Sequence, residues 1–189
     1  MRIGLLGGSF NPAHEGHLHI TRLALKKLGL DRVWWLVSPQ NPLKDAKDMA
    51  PLQKRIESAC KIAQDPRIDV RDLESDFGTT YTVDALKCLT ARFARMKFVW
   101  IMGADSFGEL QRWKHPHLIM QSVPIAVFAR PGFNLKALNS QMAQRYASFR
   151  LSPDDGAALS LQKPPAWIFF PGSQHSLSAT AIRQRRHIS

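Results

Sequence analysis

The chain has 189 residues, 44% hydrophobic and 22% charged, which suits a folded chain with its own core and excludes a disordered one. Lys and Arg number 26 against 15 Asp and Glu, a net charge of +11 that favours anionic partners: nucleic acid, acidic lipid or phosphorylated metabolites. No apolar run approaches the roughly 20 residues of a membrane span, and no secretory pattern opens the chain. A cytoplasmic protein with no membrane partner is therefore expected, its Cys60 and Cys88 being free, buried thiols without metal-like spacing.

Short apolar runs alternate with helical patterns. Ile3–Leu6 reads as a strand, and Gly16–Leu28 as a helix stopped by Gly29. Val33–Val37 is a strand, followed by a polar loop over Ser38–Met49. Pro51–Gln64 reads as a helix with proline at its start. Ile68–Arg71 is a short strand, Thr82–Ala94 a helix, and Lys97–Met102 a strand ending at Gly103. His115–Gln121 is a short helix, Val123–Ala129 a strand, and Leu135–Tyr146 helical. The polar, proline-rich span 147–165 reads as a surface excursion. Trp167–Phe170 is a late strand and Ser178–Arg186 a last helix.

This alternation predicts an α/β fold: a parallel sheet with helices on both faces, in a single domain spanning 1–189. The strands are apolar throughout, as strands covered on both faces should be. Ligands of such folds sit beyond the carboxyl ends of the strands. Three informative stretches fall there: Gly7–His17, Gly103–Trp113 and Gly172–Arg183.

The first stretch, "GGSFNPAHEGH" (7–17), floors a strand end with two glycines, so another group can approach the backbone closely. His14 and His17, three apart at a helix opening, point roughly the same way if the turn is helical. Gly16 removes a side chain that would stand in a ligand's way. Two imidazoles on one spot suit hydrogen-bond donation to an anion that gains charge during reaction. Zinc is the alternative, but no third ligand of suitable spacing is near. Neither the P-loop nor the dinucleotide glycine fingerprint is present.

The string resembles the H/T-x-G-H signature of the nucleotidyltransferase superfamily. "HSLSATAIRQR" (175–185) resembles its second signature, I/L-S-A/S/T-T-x-I-R. Physically, Ser178 suits a helix N-cap, while Thr180, the free N–H groups of the first turn and the Arg183 fork suit phosphate oxygens. Three further stretches are similar to bacterial nicotinate-nucleotide adenylyltransferases: "PQNPLK" (39–44), "TTYTVDAL" (79–86) and "MGADSFGELQRW" (102–113). The similarity runs from Ile3 to Arg185. Phosphopantetheine adenylyltransferases and cytidylyltransferases are the alternatives within the superfamily.

The resemblance implies a Rossmann-like fold and adenylyl transfer from ATP to nicotinate mononucleotide in NAD biosynthesis, with pyrophosphate leaving and magnesium carried by the ATP. It implies that His14, His17 and Arg183 are catalytic. ATP would meet Gly7, Gly8, Ser9, Phe10, Gly16, His17, Gly103, Asp105, Ser178, Thr180 and Arg183. Nicotinate mononucleotide would meet Asn11, Lys44, Tyr81, Thr82, Trp113 and Arg130, with no metal held by protein ligands. N–H donors at the helix start near Thr82 favour the nicotinate carboxylate, provided that Asp84 turns away from the ring. Lys114 stands where many relatives carry an aromatic residue, so the ring pocket differs here. A homo-oligomer is compatible with the sequence. A nucleic-acid partner is not expected: the basic excess is partly local to the tail (Arg183, Arg185, Arg186), and no basic stripe with interleaved aromatics runs outside it.

Overall fold

The computed structural model describes residues 1–39, 49–72 and 77–172. Seven strands form one parallel sheet: β1 (Arg2–Gly8), β2 (Arg32–Val37), β3 (Ile68–Asp72), β4 (Lys97–Gly103), β5 (Ile125–Phe128), β6 (Arg150–Leu151) and β7 (Trp167–Phe170). Their order is β3-β2-β1-β4-β5-β7-β6. The helices are α1 (Glu15–Lys27), α2 (Leu52–Ile62), α3 (Thr82–Arg92), α4 (Ala104–Gly108), α5 (Pro116–Ser122), α6 (Asn134–Leu138) and α7 (Gln141–Arg145). No helix among the described residues is long and apolar enough to cross a membrane.

The central strands β2, β4, β5 and β7 are apolar past any charged first residue because the sheet has a core on each face, whereas the edge strands β3 (Ile68–Asp72) and β6 (Arg150–Leu151) carry charged residues. Side chains alternate across a strand, so Trp34 and Leu36 enter one core while Trp35 and Val37 enter the other. β4 divides the same way, with Phe98, Trp100 and Met102 on one side and Val99 and Ile101 on the other. α3 covers the first face through Val83, Leu86 and Leu89. α1 covers the second through Leu18, Ala24 and Leu25. Each large side chain so buried contributes on the order of 2–3 kcal/mol.

The chain order reverses at β1, whose neighbours are β2 and β4, with Leu6 aligned to both Trp35 and Ile101. This switch point leaves a crevice beyond the carboxyl ends of β1 and β4, the place where open α/β sheets take ligands. Gly7, Gly8 and Gly103 end those two strands.

Some expectations need correcting. Cys60 and Cys88 are exposed, not buried. α2 turns Arg55 and Ala59 inward and α3 turns Ala85, Leu86 and Leu89 inward, which leaves the cysteines facing out. Residues 147–165 run largely along the surface, as expected, but they also join the sheet and the core. Arg150 and Leu151 pair with Trp167 and Ile168 as the edge strand β6. The 3-10 segment Pro153–Leu161 then buries Gly156, Leu159 and Ser160. The helix expected over Leu135–Tyr146 is two short ones, because Ser140 restarts it as an N-cap that accepts the Ala143 N–H. The last helix expected at Ser178–Arg186 lies outside the described residues.

Candidate active site

α1 begins with a histidine doing the work usually given to Ser or Asp. His14 is extended and accepts the Gly16 N–H on its Nδ1 at 3.1 Å. His17, at the third helical position, accepts the His14 N–H on its own Nδ1 at 3.2 Å. This is a reciprocal capping box built from two imidazoles. Each Nδ1 receives an N–H, so the proton of the neutral ring sits on Nε2. The two Nε2–H groups are then donors, and the ring centroids lie 3.9 Å apart.

A chain of buried contacts fixes His17. Its carbonyl accepts the Thr21 hydroxyl at 2.8 Å, and Thr21 in turn accepts the Trp35 indole N–H at 2.8 Å. Phe10 stacks on Trp35 at 5.0 Å between centroids and packs on His17 at 4.7 Å. Phe10 is 1% exposed, so its side chain supports the imidazoles and leaves its backbone for any ligand. It holds a left-handed backbone (φ 46°) that bulky residues adopt at a cost of about 1–3 kcal/mol. Asn11 is buried too and accepts the Ala50 N–H at 3.2 Å.

Gly7 and Gly103 also lie against side chains of the protein itself. A Cβ on Gly7 would enter the Trp100 indole, so that glycine answers to the core beneath it. A Cβ on Gly103 would meet both Asp105 and the Arg130 Nε. Those two side chains cross over Gly103 as an ion pair at 3.4 Å. The Arg130 backbone N–H is held by Asn134 at 2.8 Å.

The third cluster lies at the start of α3. Tyr81 is its N-cap and supplies no side-chain hydrogen bond to the first turn, which contains Thr82. Lys114, which follows the 3-10 turn Leu110–Arg112, reaches that turn of α3. It pairs with Asp84 at 3.0 Å and lies 4.3 Å from the centre of the Tyr81 ring. Trp113, next in chain, packs against the first core. The structure thus brings Tyr81, Thr82, Asp84, Trp113 and Lys114 to one neighbourhood. Lys44, Ser178, Thr180 and Arg183 lie outside the described residues. Among the described residues no group of three His, Cys, Asp or Glu side chains could hold a metal ion.

Residues 5–185 match the cytidylyltransferase-like family model. A Parvibaculum lavamentivorans protein named "probable nicotinate-nucleotide adenylyltransferase" is 55% identical over 98% of this chain and 92% of its own length. A Methylorubrum extorquens protein of the same name is 50% identical over 98% of this chain and 100% of its own. The chain belongs to the nicotinate-nucleotide adenylyltransferase branch of the cytidylyltransferase-like family. The Plasmodium falciparum nicotinic acid mononucleotide adenylyltransferase, solved in complex with NaAD, shares the fold with a TM-score of 0.70. The match covers 97% of this chain and 82% of that one at 16% identity.

Three residues that pack or bond against this candidate site escape a reading of the sequence. Thr21 and Trp35 are separated by 14 residues and look like ordinary helix and strand positions. Arg55 looks like a surface residue of α2 yet is 2% exposed. Burial pushes its guanidinium down from the usual arginine range, and Asp72 pulls it back up. Its partners are backbone carbonyls, which leave no signature in a sequence.

Proposed function

We propose that this chain transfers the adenylyl group of MgATP to nicotinate mononucleotide, giving nicotinate adenine dinucleotide (deamido-NAD) and pyrophosphate, a step of NAD biosynthesis. The observation that carries this reading is the reciprocal histidine cap at the start of α1, the helix that follows β1 at the switch point of the sheet, in a chain 55% identical to a named relative.

The chemistry is in-line displacement at the α-phosphorus of ATP. A 5′-phosphate oxygen of nicotinate mononucleotide forms the new P–O bond. The bond from the α-phosphorus to the β-bridging oxygen breaks, and its electron pair leaves with pyrophosphate. The attacking oxygen is already anionic at neutral pH, so no protein nucleophile is needed. The protein supplies position and charge stabilisation. The Nε2–H donors of His14 and His17 bind the α-phosphate oxygens as charge shifts toward the leaving group. The amide groups at Gly8 and Ser9 and the start of α1 add a field that favours phosphate. Asp105 accepts from ribose hydroxyls, releasing Arg130 to the substrates. Ser178, Thr180 and Arg183 hold the β- and γ-phosphates, and Lys44 the phosphate of the acceptor. Magnesium would enter with the ATP substrate and would supply charge neutralisation there.

The uncapped first turn of α3 suits a carboxylate. Asp84 would repel that carboxylate, but Lys114 neutralises it. This arrangement supports nicotinate over nicotinamide. The direct test is pyrophosphate release from MgATP with nicotinate mononucleotide, nicotinamide mononucleotide and phosphopantetheine as separate acceptors. Release with the first alone supports the assignment. Equal turnover of the second removes the specificity argument, and a preference for the third moves the chain to another branch.

A further inference from the structure

Arg55 is a charged side chain enclosed by main chain. Its Nη1 donates to the carbonyls of Ser9 at 2.6 Å and Ser38 at 2.7 Å. Its Nη2 donates to the Pro39 carbonyl at 2.6 Å, and its Nε to the Ala50 carbonyl at 2.9 Å. These acceptors come from three places: the end of β1, the end of β2 and the approach to α2. Neighbouring bonds tie the same places. The Ser38 N–H donates to the Gly8 carbonyl at 2.9 Å, and the Ala50 N–H to Asn11 at 3.2 Å.

We infer that Arg55 is the positioning residue of the histidine site: it holds the Ser9–Phe10 peptide so that Phe10 stays against His17. Resting on the adenylyl-transfer reading above, this assigns a role to a residue that touches no substrate. The Ser9 carbonyl held by Arg55 belongs to the peptide that enters Phe10, and Phe10 has the left-handed backbone. Released from Arg55, that peptide can relax to ordinary backbone and swing the Phe10 ring off His17. Arginine is needed because a planar fork of five N–H donors can span three segments. A lysine ammonium, a point charge with donors on one atom, cannot.

The test uses the full chain and its Arg55→Lys and Arg55→Gln variants, assayed well below their unfolding temperatures. We expect Arg55→Lys to lose about tenfold to a hundredfold in kcat, the scale of a misplaced catalytic group, with KM for ATP and for nicotinate mononucleotide nearly unchanged. The His17 imidazole nitrogen resonances should shift in the same variant. A folded Arg55→Lys enzyme with wild-type kcat overturns the inference. So does a lowered kcat with unmoved His17 resonances. If neither variant folds, the wild-type Arg55 Nη protons decide: hindered rotation and slow exchange support the clamp, and free rotation overturns it. A wild-type chain that turns over no acceptor defeats the adenylyl-transfer reading instead, and the NMR readouts still judge Arg55.

Discussion

His14 and His17 build one cap: the His17 Nδ1 accepts the His14 backbone N–H, and the His14 side chain accepts the Gly16 N–H two residues on. The bonds that start α1 are therefore the bonds that set both tautomers. Helix capping and catalysis are separable at His14, because Asn caps well but lacks a donor at the Nε2 position. We expect His14→Asn to keep the stability of the fold within about 1 kcal/mol. It should lose a few hundredfold in kcat, about 3–4 kcal/mol of transition-state stabilisation. His14→Ala should lose both. Urea unfolding and pyrophosphate release measure the two effects, and a fully active His14→Asn enzyme would remove His14 from the chemistry.

Gly7 answers to packing. Trp100 is 2% exposed and lies where a Cβ on Gly7 would go. Gly7→Ala should therefore destabilise by about 1–3 kcal/mol, the range of an overpacked core. Gly132→Ala is the control, since its Cβ would meet nothing within 4 Å and its φ of 79° carries the whole penalty. Enlarging the space with Trp100→Phe should restore part of the Gly7→Ala loss and none of the Gly132→Ala loss. Denaturation curves of the three single and two double variants test this, and equal rescue of both glycines would refute it.

How much of this was legible follows from which interactions leave a trace in sequence. β1, β2 and β4 are readable because the positions after their charged first residues carry no polar side chain, and the reason is a core on each face. His14 and His17 were readable because their relation is local, three residues apart on one turn. The Asp105–Arg130 pair was not, since its partners are 25 residues apart and the glycine beneath them reads equally well as a ligand floor. Arg55 was unreadable for a different reason: backbone carbonyls of any residue could be its acceptors. β6 is a pair of residues whose strand identity comes from β7 alone.

The turn before β3 carries the acid-sensitive group. Asp65 accepts from Arg67 through both its backbone N–H and its guanidinium, at 2.8–3.0 Å. These bonds, the side-chain bond foremost, hold its carboxyl down at about 2. A lowered folded value means a stabilising contribution present above the ordinary carboxylate range and lost as pH falls toward about 2. Arg67 is half exposed, so water and salt screen the pair and the effect is small. Asp65→Asn should be less stable than wild type at neutral pH, with the gap closing steadily below pH 4 and shrinking in high salt. Parallel stability curves down to pH 2 would show that the pair contributes nothing.

Lys114 is the residue through which acceptor choice can be moved. Its ammonium neutralises Asp84 at 3.0 Å, beside the first turn of α3. Removing it as Lys114→Gln leaves an uncompensated carboxylate in the helix turn proposed for the nicotinate carboxylate. The pair is about 40% exposed, so the repulsion is of surface magnitude, under about 1 kcal/mol. We expect the ratio of kcat/KM for nicotinate over nicotinamide mononucleotide to fall by a few fold in Lys114→Gln. Adding Asp84→Asn removes the stranded charge, so the double variant should regain the wild-type ratio. Asp84→Asn alone should hold or raise it. A double-mutant cycle on that ratio separates charge neutralisation from loss of the lysine stem over Tyr81. If the double variant discriminates no better than Lys114→Gln, the specificity comes from that stem and the backbone around it, and Asp84 has no part in it.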